Sequence, residues 1–264
     1  MVKRGTSKSE DLWRVPPPGA LGPLDEHGRR IGVPAPDLSL SIVIPCLNAE
    51  HGLRRTLDAL TGAARSGFTP EIVVVDGGST DRTKEIAEAS GARVIESPPG
   101  RGTQLAAGAR AAKGDWLLFL HGDTALDRGW AASVMVFASN ERNRERAAVF
   151  SFALDDERPA ARRLERIVRW RNRWLGLPYG DQGLLLHRRF YRRLGGYKEI
   201  PLMEDVDLIR RIGLSRLALF DVRAVTSAER YVRGGYFRRA LRNLFCLTLF
   251  FCRVPPRLIA RIYS

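Results

Sequence analysis

From Leu38 onward, short apolar runs alternate with amphipathic or Ala-rich stretches, and polar or glycine-bearing sequence separates them. Leu40-Ser41-Ile42-Val43-Ile44 predicts a first strand, ended by Pro45, and Ala49 to Leu60 predicts a helix with Leu53, Leu57 and Leu60 on one face. Ile72 to Val75 predicts a second buried strand, followed by a helix near Asp81 to Ser90. Arg93-Val94-Ile95 is a weaker strand, Gln104 to Ala112 a helix, and Trp116 to Leu120 a fourth strand. Beyond about Ala125 the pattern loosens, with further strands expected at Val149 to Leu154, Leu184 to Leu186 and Leu217 to Val222. Strands apolar on both faces that alternate with helices imply an α/β fold with a mostly parallel sheet flanked by helices.

The polar motifs fall where the first four strands end. In an open α/β sheet, ligands bind outside the carboxyl ends of strands, where neighbouring crossovers diverge. The strands run into Pro45-Cys46-Leu47-Asn48-Ala49-Glu50, Asp76-Gly77-Gly78-Ser79-Thr80-Asp81, Pro99-Gly100-Arg101-Gly102 and His121-Gly122-Asp123-Thr124, so all four loops should converge on one edge. In the second loop Asp76 can accept a hydrogen bond from a base N–H, its glycines permit close approach, and Ser79 or Thr80 can cap the next helix. A capped βα turn would use the same residues. A dinucleotide-binding fold would need G-x-G-x-x-G after the first strand, and Pro45-Cys46-Leu47-Asn48 contains no glycine. Asp123 is suited to hold Mg²⁺ or Mn²⁺ against diphosphate oxygens. His121, two residues earlier, is either a second metal ligand or, as a hard ion's preference for oxygen favours, a wall of the pocket.

Charge changes the picture only in the second half. The chain of 264 residues has 43 Lys and Arg against 29 Asp and Glu, a net +14. Arg158 to Arg173 holds seven Arg and one Glu, and Glu229 to Arg261 holds eight Arg and one Glu. In both stretches the arginines interleave with apolar residues at helical spacing, a pattern that suits an anionic membrane surface better than nucleic acid, which is not expected as a partner. Leu164, Ile167, Val168, Trp174 and Leu175 share one helical face, as do Phe237, Leu241, Leu244, Phe245 and Leu249. The plain alternative is two amphipathic helices packed on the domain with solvated arginine faces. The apolar run from Leu244 to Cys252 is too short to span a bilayer. Residues 1–37, rich in Pro and Gly and without an apolar period, read as a flexible tail; 38–228 read as the main domain and 229–264 as a basic helical extension. Cys46, Cys246 and Cys252 cannot all pair, and Met1 to Arg14 lacks the apolar core of a secretory signal. A cytoplasmic place is expected, with a peripheral position on the inner face of the membrane as the sharper alternative.

Taken together, these residues resemble the family 2 glycosyltransferases of the GT-A fold, over roughly Leu40 to Ile212. "SIVIPCLNAE" is similar to that family's first strand and P-x-x-N-x-E loop, and "EIVVVDGGSTDRT" to its second strand and D-x-x-S-x-D turn. "WLLFLHGDT" corresponds to the D-x-D strand end, with His121 at the first acidic position, the form found in a bacterial Leu-His-x-Asp-Thr subgroup. "YGDQGLLLHRRFYRRLGGYKEIPLMEDVDLIRRI" is similar to the acceptor-side half.

The resemblance implies a nucleoside-diphosphate sugar as donor, a UDP-sugar by preference, and transfer to an acceptor hydroxyl with inversion. It implies that Pro45, Asn48 and Glu50 line the nucleoside pocket, that Asp76 contacts the base, and that Asp123 is the metal carboxylate. Asp205, or Glu204 beside it, would be the catalytic base, Arg101 would assist the diphosphate, and Asp181 and Gln182 would contact acceptor or sugar or else simply form a polar turn. Glu204-Asp205-Val206-Asp207 would equally serve as an acidic helix start. The acceptor is unassigned, with a lipid-linked one suggested by the basic helices. Two rivals remain. A nucleotidyltransferase of related fold would need a glycine-rich basic loop after the first strand, and a non-enzymatic basic module binding membrane or nucleic acid would leave the convergent acidic loops without a purpose.

Overall fold

The computed structural model describes residues 38–66, 68–175, 178 and 180–263. The expected tail at 1–37 lies outside them, as do the side chains of Trp174 and Leu175. The described residues form one eight-stranded sheet in the order β3-β2-β1-β4-β7-β6-β8-β5. Its strands are β1 (Leu40–Cys46), β2 (Glu71–Asp76), β3 (Arg93–Glu96), β4 (Trp116–Phe119), β5 (Thr124–Leu126), β6 (Ala147–Leu154), β7 (Leu184–His187) and β8 (Leu217–Thr226).

β1 to β4 are mutually parallel. β7 is antiparallel to β4 and β6, β8 is parallel to β6, and β5 is antiparallel to β8. The sheet is therefore mixed, with its parallel half carrying the four loops singled out above. The chain runs outward through β1, β2 and β3 and returns to the other side of β1 as β4, which makes the β1/β4 boundary the point where crossovers diverge.

Alternate residues of the central strands enter two different cores. Ile42, Ile44, Val74 and Leu118 pack with α1 (Glu50–Leu60), α2 (Thr83–Ala89) and α4 (Trp130–Ala138). Val43, Val73, Val75, Leu117 and Phe119 pack on the opposite face with α3 (Arg101–Ala111), α6 (Arg188–Arg193) and α7 (Glu204–Ile212). Period-two alternation in continuously apolar strands is what burial on both faces requires. Gly108 lets α3 lie close to the sheet: a Cβ there would fall 2.3 Å from Val43 Cγ1.

α5 (Pro159–Leu175) buries Ala161, Leu164 and Val168 against Phe152 and Leu154 of β6. Ile167, expected on that face, is exposed, because a 3.6-residue period turns it with Trp170 to the outside. α8 (Glu229–Gly234), α9 (Tyr236–Phe251) and α10 (Pro256–Tyr263) complete the chain, and Cys246, Leu247 and Ile259 join the α3/α7 core. The basic segment after 228 is thus bound into the same core as the sheet.

Several boundaries differ from the sequence reading. β1 continues through Pro45 to Cys46, since Pro45 lies opposite Val75 at a position the sheet accommodates. α3 begins at Arg101 rather than Gln104, because Gly100 at φ 136° supplies its N-cap conformation. α2 begins at Thr83, whose N–H is capped by Asp81 at 3.0 Å, whereas Ser79 and Thr80 turn to the β1 loop.

Candidate active site

The β1 and β2 loops are tied to each other. Asn48 N–H donates to Ser79 Oγ (2.9 Å), Ala49 N–H to Thr83 Oγ1 (2.8 Å) and Glu50 N–H to Asp81 Oδ2 (3.1 Å). In return Thr80 N–H donates to Asn48 Oδ1 (2.9 Å) and Arg82 N–H to Glu50 Oε2 (3.2 Å). Asn48 takes a left-handed φ of 49°, a conformation Asn tolerates better than most residues. The carboxylate of Asp76, fully buried, accepts from Gly78 and Ser79 N–H and faces Lys84 Nζ at 3.7 Å. Buried Gln104 ties both strand ends together, its Nε2 donating to Cys46 O (2.7 Å) and Val75 O (2.8 Å). Pro45, Asn48, Glu50 and Asp76 therefore form one rigid double loop.

The β4 loop sits against the same edge. Gly52 of α1 packs on the backbone of Gly122 and Asp123, and Thr56 Oγ1 donates to Gly122 O (3.1 Å). Ser227 N–H donates to Asp123 O (3.1 Å), and Thr124 and Thr226 hydroxyls meet at 2.8 Å. β8 thereby fixes the backbone that carries Asp123.

A cavity of about 110 Å³ opens beside it. His121 and Asp123 line it from the loop that follows β4, Arg101 from the first turn of α3, and Asp181 from the 3-10 turn Gly180–Gln182. Glu204 and Asp205 line it from the start of α7. Met203 precedes them at φ 66°, the left-handed region that is costly for a residue with a side chain. Gly180 is the hinge of this arrangement. Its N–H donates to Asp205 Oδ2 (2.8 Å), and a Cβ at this residue would fall 2.6 Å from His121 Nε2. Asp205 Oδ1 also accepts from Val206 N–H at 2.7 Å.

The electrostatics follow from burial. Glu204 is 1% exposed, and its Oε1 has no hydrogen-bond partner among the described residues, with Arg101 Nε 3.7 Å away. Burial first, and then the nearby Asp205, raise its pKa to about 7. Burial, with Asp205 and Asp123 as like charges, lifts Asp181 to about 6, and its Oδ1 is likewise buried without a partner. His121 is held well below its ordinary value by burial and then by Arg101 and Arg230, so it is neutral.

Among the described residues no cluster of three or more His, Cys, Asp and Glu is arranged to hold a metal. The residues fit a divalent ion of the kind that takes one or two carboxylates and completes its shell with substrate phosphates. Among the described residues the Asp123 carboxylate accepts only a long 3.4 Å hydrogen bond from Thr124, and Asp181 and Glu204, each with one buried unpartnered carboxylate oxygen, line the same cavity.

Of the residues singled out in the sequence, Arg101, His121, Asp123, Asp181, Glu204 and Asp205 meet around this cavity. Pro45, Asn48, Glu50 and Asp76 stand at the same sheet edge but outside its lining. Gln182 is fully buried, with Nε2 donating to Phe150 O (3.0 Å) and Oε1 accepting from Asn172 Nδ2 (2.9 Å), so it holds the turn from inside, the polar-turn alternative read from the sequence. Missed altogether were Arg230, Tyr231, Arg239, Asn243 and Tyr263, by which α8, α9 and α10 wall the cavity. Gln104 was missed as well, although a Gln inside an Ala-rich apolar helix face was a visible signal.

The chain is 36% identical over 122 residues to the glucosyl-3-phosphoglycerate synthase of Mycobacterium tuberculosis, covering 40% of this chain and 37% of the synthase. It is 35% identical over 92 residues to an uncharacterized glycosyltransferase of Mycobacterium bovis, covering 34% and 39%. The matched segments thus span about two fifths of these relatives' length. Among solved structures, S. aureus TarS 1–349 in complex with UDP-GlcNAc superposes at a TM-score of 0.56 with 15% identity, covering 86% of this chain and 71% of that one. The M. tuberculosis synthase in complex with Mn²⁺, UDP and glucosyl-3-phosphoglycerate superposes at 0.53 with 21% identity, covering 88% and 89%. The architecture is the GT-A fold, and the profile of glycosyl transferase family 2 matches residues 41–193, more than half of the chain. Sheet order, loop convergence and profile agree: this chain is a member of glycosyl transferase family 2.

Proposed function

We propose that the protein transfers a sugar from a nucleoside-diphosphate sugar, a UDP-sugar by preference, to an acceptor hydroxyl with inversion at the anomeric carbon. The observation that carries this reading is the meeting of Asp123, Arg101 and Asp205 around one cavity, at the end of the strand that borders the switch point. Displacement needs a base for the acceptor proton and positive charge for the departing diphosphate, and these side chains supply both kinds.

In this reading the Asp205 carboxylate takes the proton of the acceptor hydroxyl. The oxygen forms its bond to the anomeric carbon as the bond from that carbon to the diphosphate oxygen breaks, and the nucleoside diphosphate leaves. A single displacement of this kind inverts the centre. Asp205 suits the base because its carboxylate is oriented by Gly180 and Val206 N–H while its side chain stays partly exposed. Glu204, buried beside Arg101, instead holds that guanidinium towards the diphosphate. A divalent ion, Mg²⁺ or Mn²⁺, held by Asp123 would supply neutralisation of charge on the leaving group. The tied β1 and β2 loops would hold the nucleoside, with Asn48, Glu50 and Asp76 setting the shape of the crevice. The bound UDP-GlcNAc of TarS and the Mn²⁺ and UDP of the synthase support the preference for uridine and for a divalent ion.

The test is a panel of UDP-, GDP- and CDP-sugars incubated with purified protein in Mn²⁺, Mg²⁺ or EDTA, with released nucleotide measured. UDP release that EDTA suppresses, and that falls at least about 100-fold in Asp123→Ala and Asp205→Asn, is expected. No release and no thermal stabilisation by any nucleoside diphosphate would favour a binding module.

A further inference from the structure

The outer side of α9 is apolar apart from Thr248 and, among the described residues, is largely uncovered, with only Phe251 meeting a neighbour, the guanidinium of Arg210. Phe237, Leu241, Leu244, Phe245 and Phe251 follow one another at helical spacing, Phe237 being 81% exposed and the others about half exposed. At 1.5 Å per residue this stripe runs for about 20 Å. Leu258 and Ile262 of α10 are similarly exposed, and so are Ile167 and Trp170 of α5, the helix packed beside α9. Contiguous apolar surface on this scale marks an interaction site.

The charge beside it identifies the partner. From Arg230 to Tyr263 there is no Asp or Glu, while Arg238, Arg253, Arg257 and Arg261 are exposed. We propose that α9 and α10 dock this protein on an anionic lipid surface, the apolar stripe entering the headgroup boundary and the arginines pairing with lipid phosphates. An amphipathic helix with bulky apolar residues on one side and arginines flanking them is built for that boundary. A second copy of the chain is a poorer occupant, because a two-fold interface would set one acid-free basic segment against another. Residues 1–37 are no complement either, with six Lys and Arg against five Asp and Glu. Among the described residues no helix is long and apolar enough to cross a membrane, so the docking is peripheral.

The opposite side of α9 presents Arg239 and Asn243 to the acidic cavity. Docking through the outer side therefore holds the cavity about one helix diameter, roughly 10 Å, from the lipid headgroups. Should the transferase reading hold, an acceptor hydroxyl carried on a lipid is the substrate class this geometry favours.

Flotation of the full chain on density gradients tests the docking without donor or acceptor, so its outcome is separate from that of the transfer assay. Vesicles of phosphatidylcholine are compared with vesicles containing one third phosphatidylglycerol at physiological salt. Flotation with the anionic vesicles alone is expected. It should fall at least about 10-fold in the triple variant Phe237→Ser/Leu241→Ser/Leu244→Ser and in Arg238→Glu/Arg257→Glu, none of which touches the cavity lining. Circular dichroism and thermal melting confirm that both variants are folded. Absence of flotation with anionic vesicles, equal flotation with neutral ones, or retention in the folded variants would each overturn the proposal. A dimer in solution that the triple variant converts to monomer would overturn it in favour of self-association.

Discussion

Glu204→Gln isolates the electrostatic strain of the cavity from its shape. Glu204 is 1% exposed, and burial raises its pKa from 4.5 to about 7 despite Arg101 Nε at 3.7 Å. A buried carboxyl whose folded pKa is raised is held more favourably protonated than ionised. Its contribution to stability is fully present below the unfolded value of 4.5 and is lost as pH rises through about 7. Integrating that difference gives a loss on the order of 3 kcal/mol by pH 8 and well under about 1 kcal/mol at pH 4.5. Glutamine keeps the size of the side chain and cannot ionise, so the variant escapes this loss. It also removes one charge beside Arg101, but that side chain is 42% exposed and keeps Asp205 and Asp123 as neighbouring charges, so the cost is small and changes little with pH.

The quantity to measure is therefore the stability of the variant minus that of the wild type, by urea unfolding at pH 5 and pH 8. The difference should grow in the variant's favour by about 2–3 kcal/mol over this interval, equivalent to roughly 5–10 °C in Tm for a domain of this size. Asp181, lifted to about 6, titrates in both proteins and largely cancels in the difference. A difference that stays constant within about 0.5 kcal/mol would mean that Glu204 is not the ionisation opposed by burial.

Two further substitutions probe the scaffold around the cavity. Gln104→Leu removes the amide that donates to Cys46 O and Val75 O, and a loss of about 1–3 kcal/mol in urea unfolding is expected; wild-type stability would dismiss this bridge. Gly180→Ala drives a Cβ to 2.6 Å from His121 Nε2 and should destabilise by about 1–3 kcal/mol, and in the double variant with His121→Ala part of that loss should return. Strict additivity of the two in thermal melts would show that the clash is not with His121.

The parallel half of the sheet was legible because its strands are apolar on both faces and end abruptly in polar loops, a pattern without a helical counterpart at that length. Pro45 misled because a proline stops a strand only where its missing N–H is needed. β5 is three residues long, and Trp130 to Ala138 is apolar around most of its circumference, so neither shows a period. The left-handed backbone of Met203, which sets Glu204 and Asp205 into the cavity, has no signature in an unbranched side chain.

The C-terminal helices expose a more general limit. Their period revealed an apolar side and a basic side, and arginines off an apolar face read as solvated. In the folded chain the stripe from Phe237 to Phe251 faces outward, while Arg239 and Asn243, with buried Cys246 and Leu247, face inward. A moment along the sequence reports that two sides differ, and it is silent on which of them meets the protein. Here the polar positions wall an acidic cavity whose carboxylates attract them, and the apolar side is left for a surface outside the chain. Arg230 of α8 and Arg239 of α9 line the same cavity as Asp123, Asp181, Glu204 and Asp205, which places basic side chains from a distant segment of the sequence beside an acidic site, a long-range neighbourhood that no local period encodes.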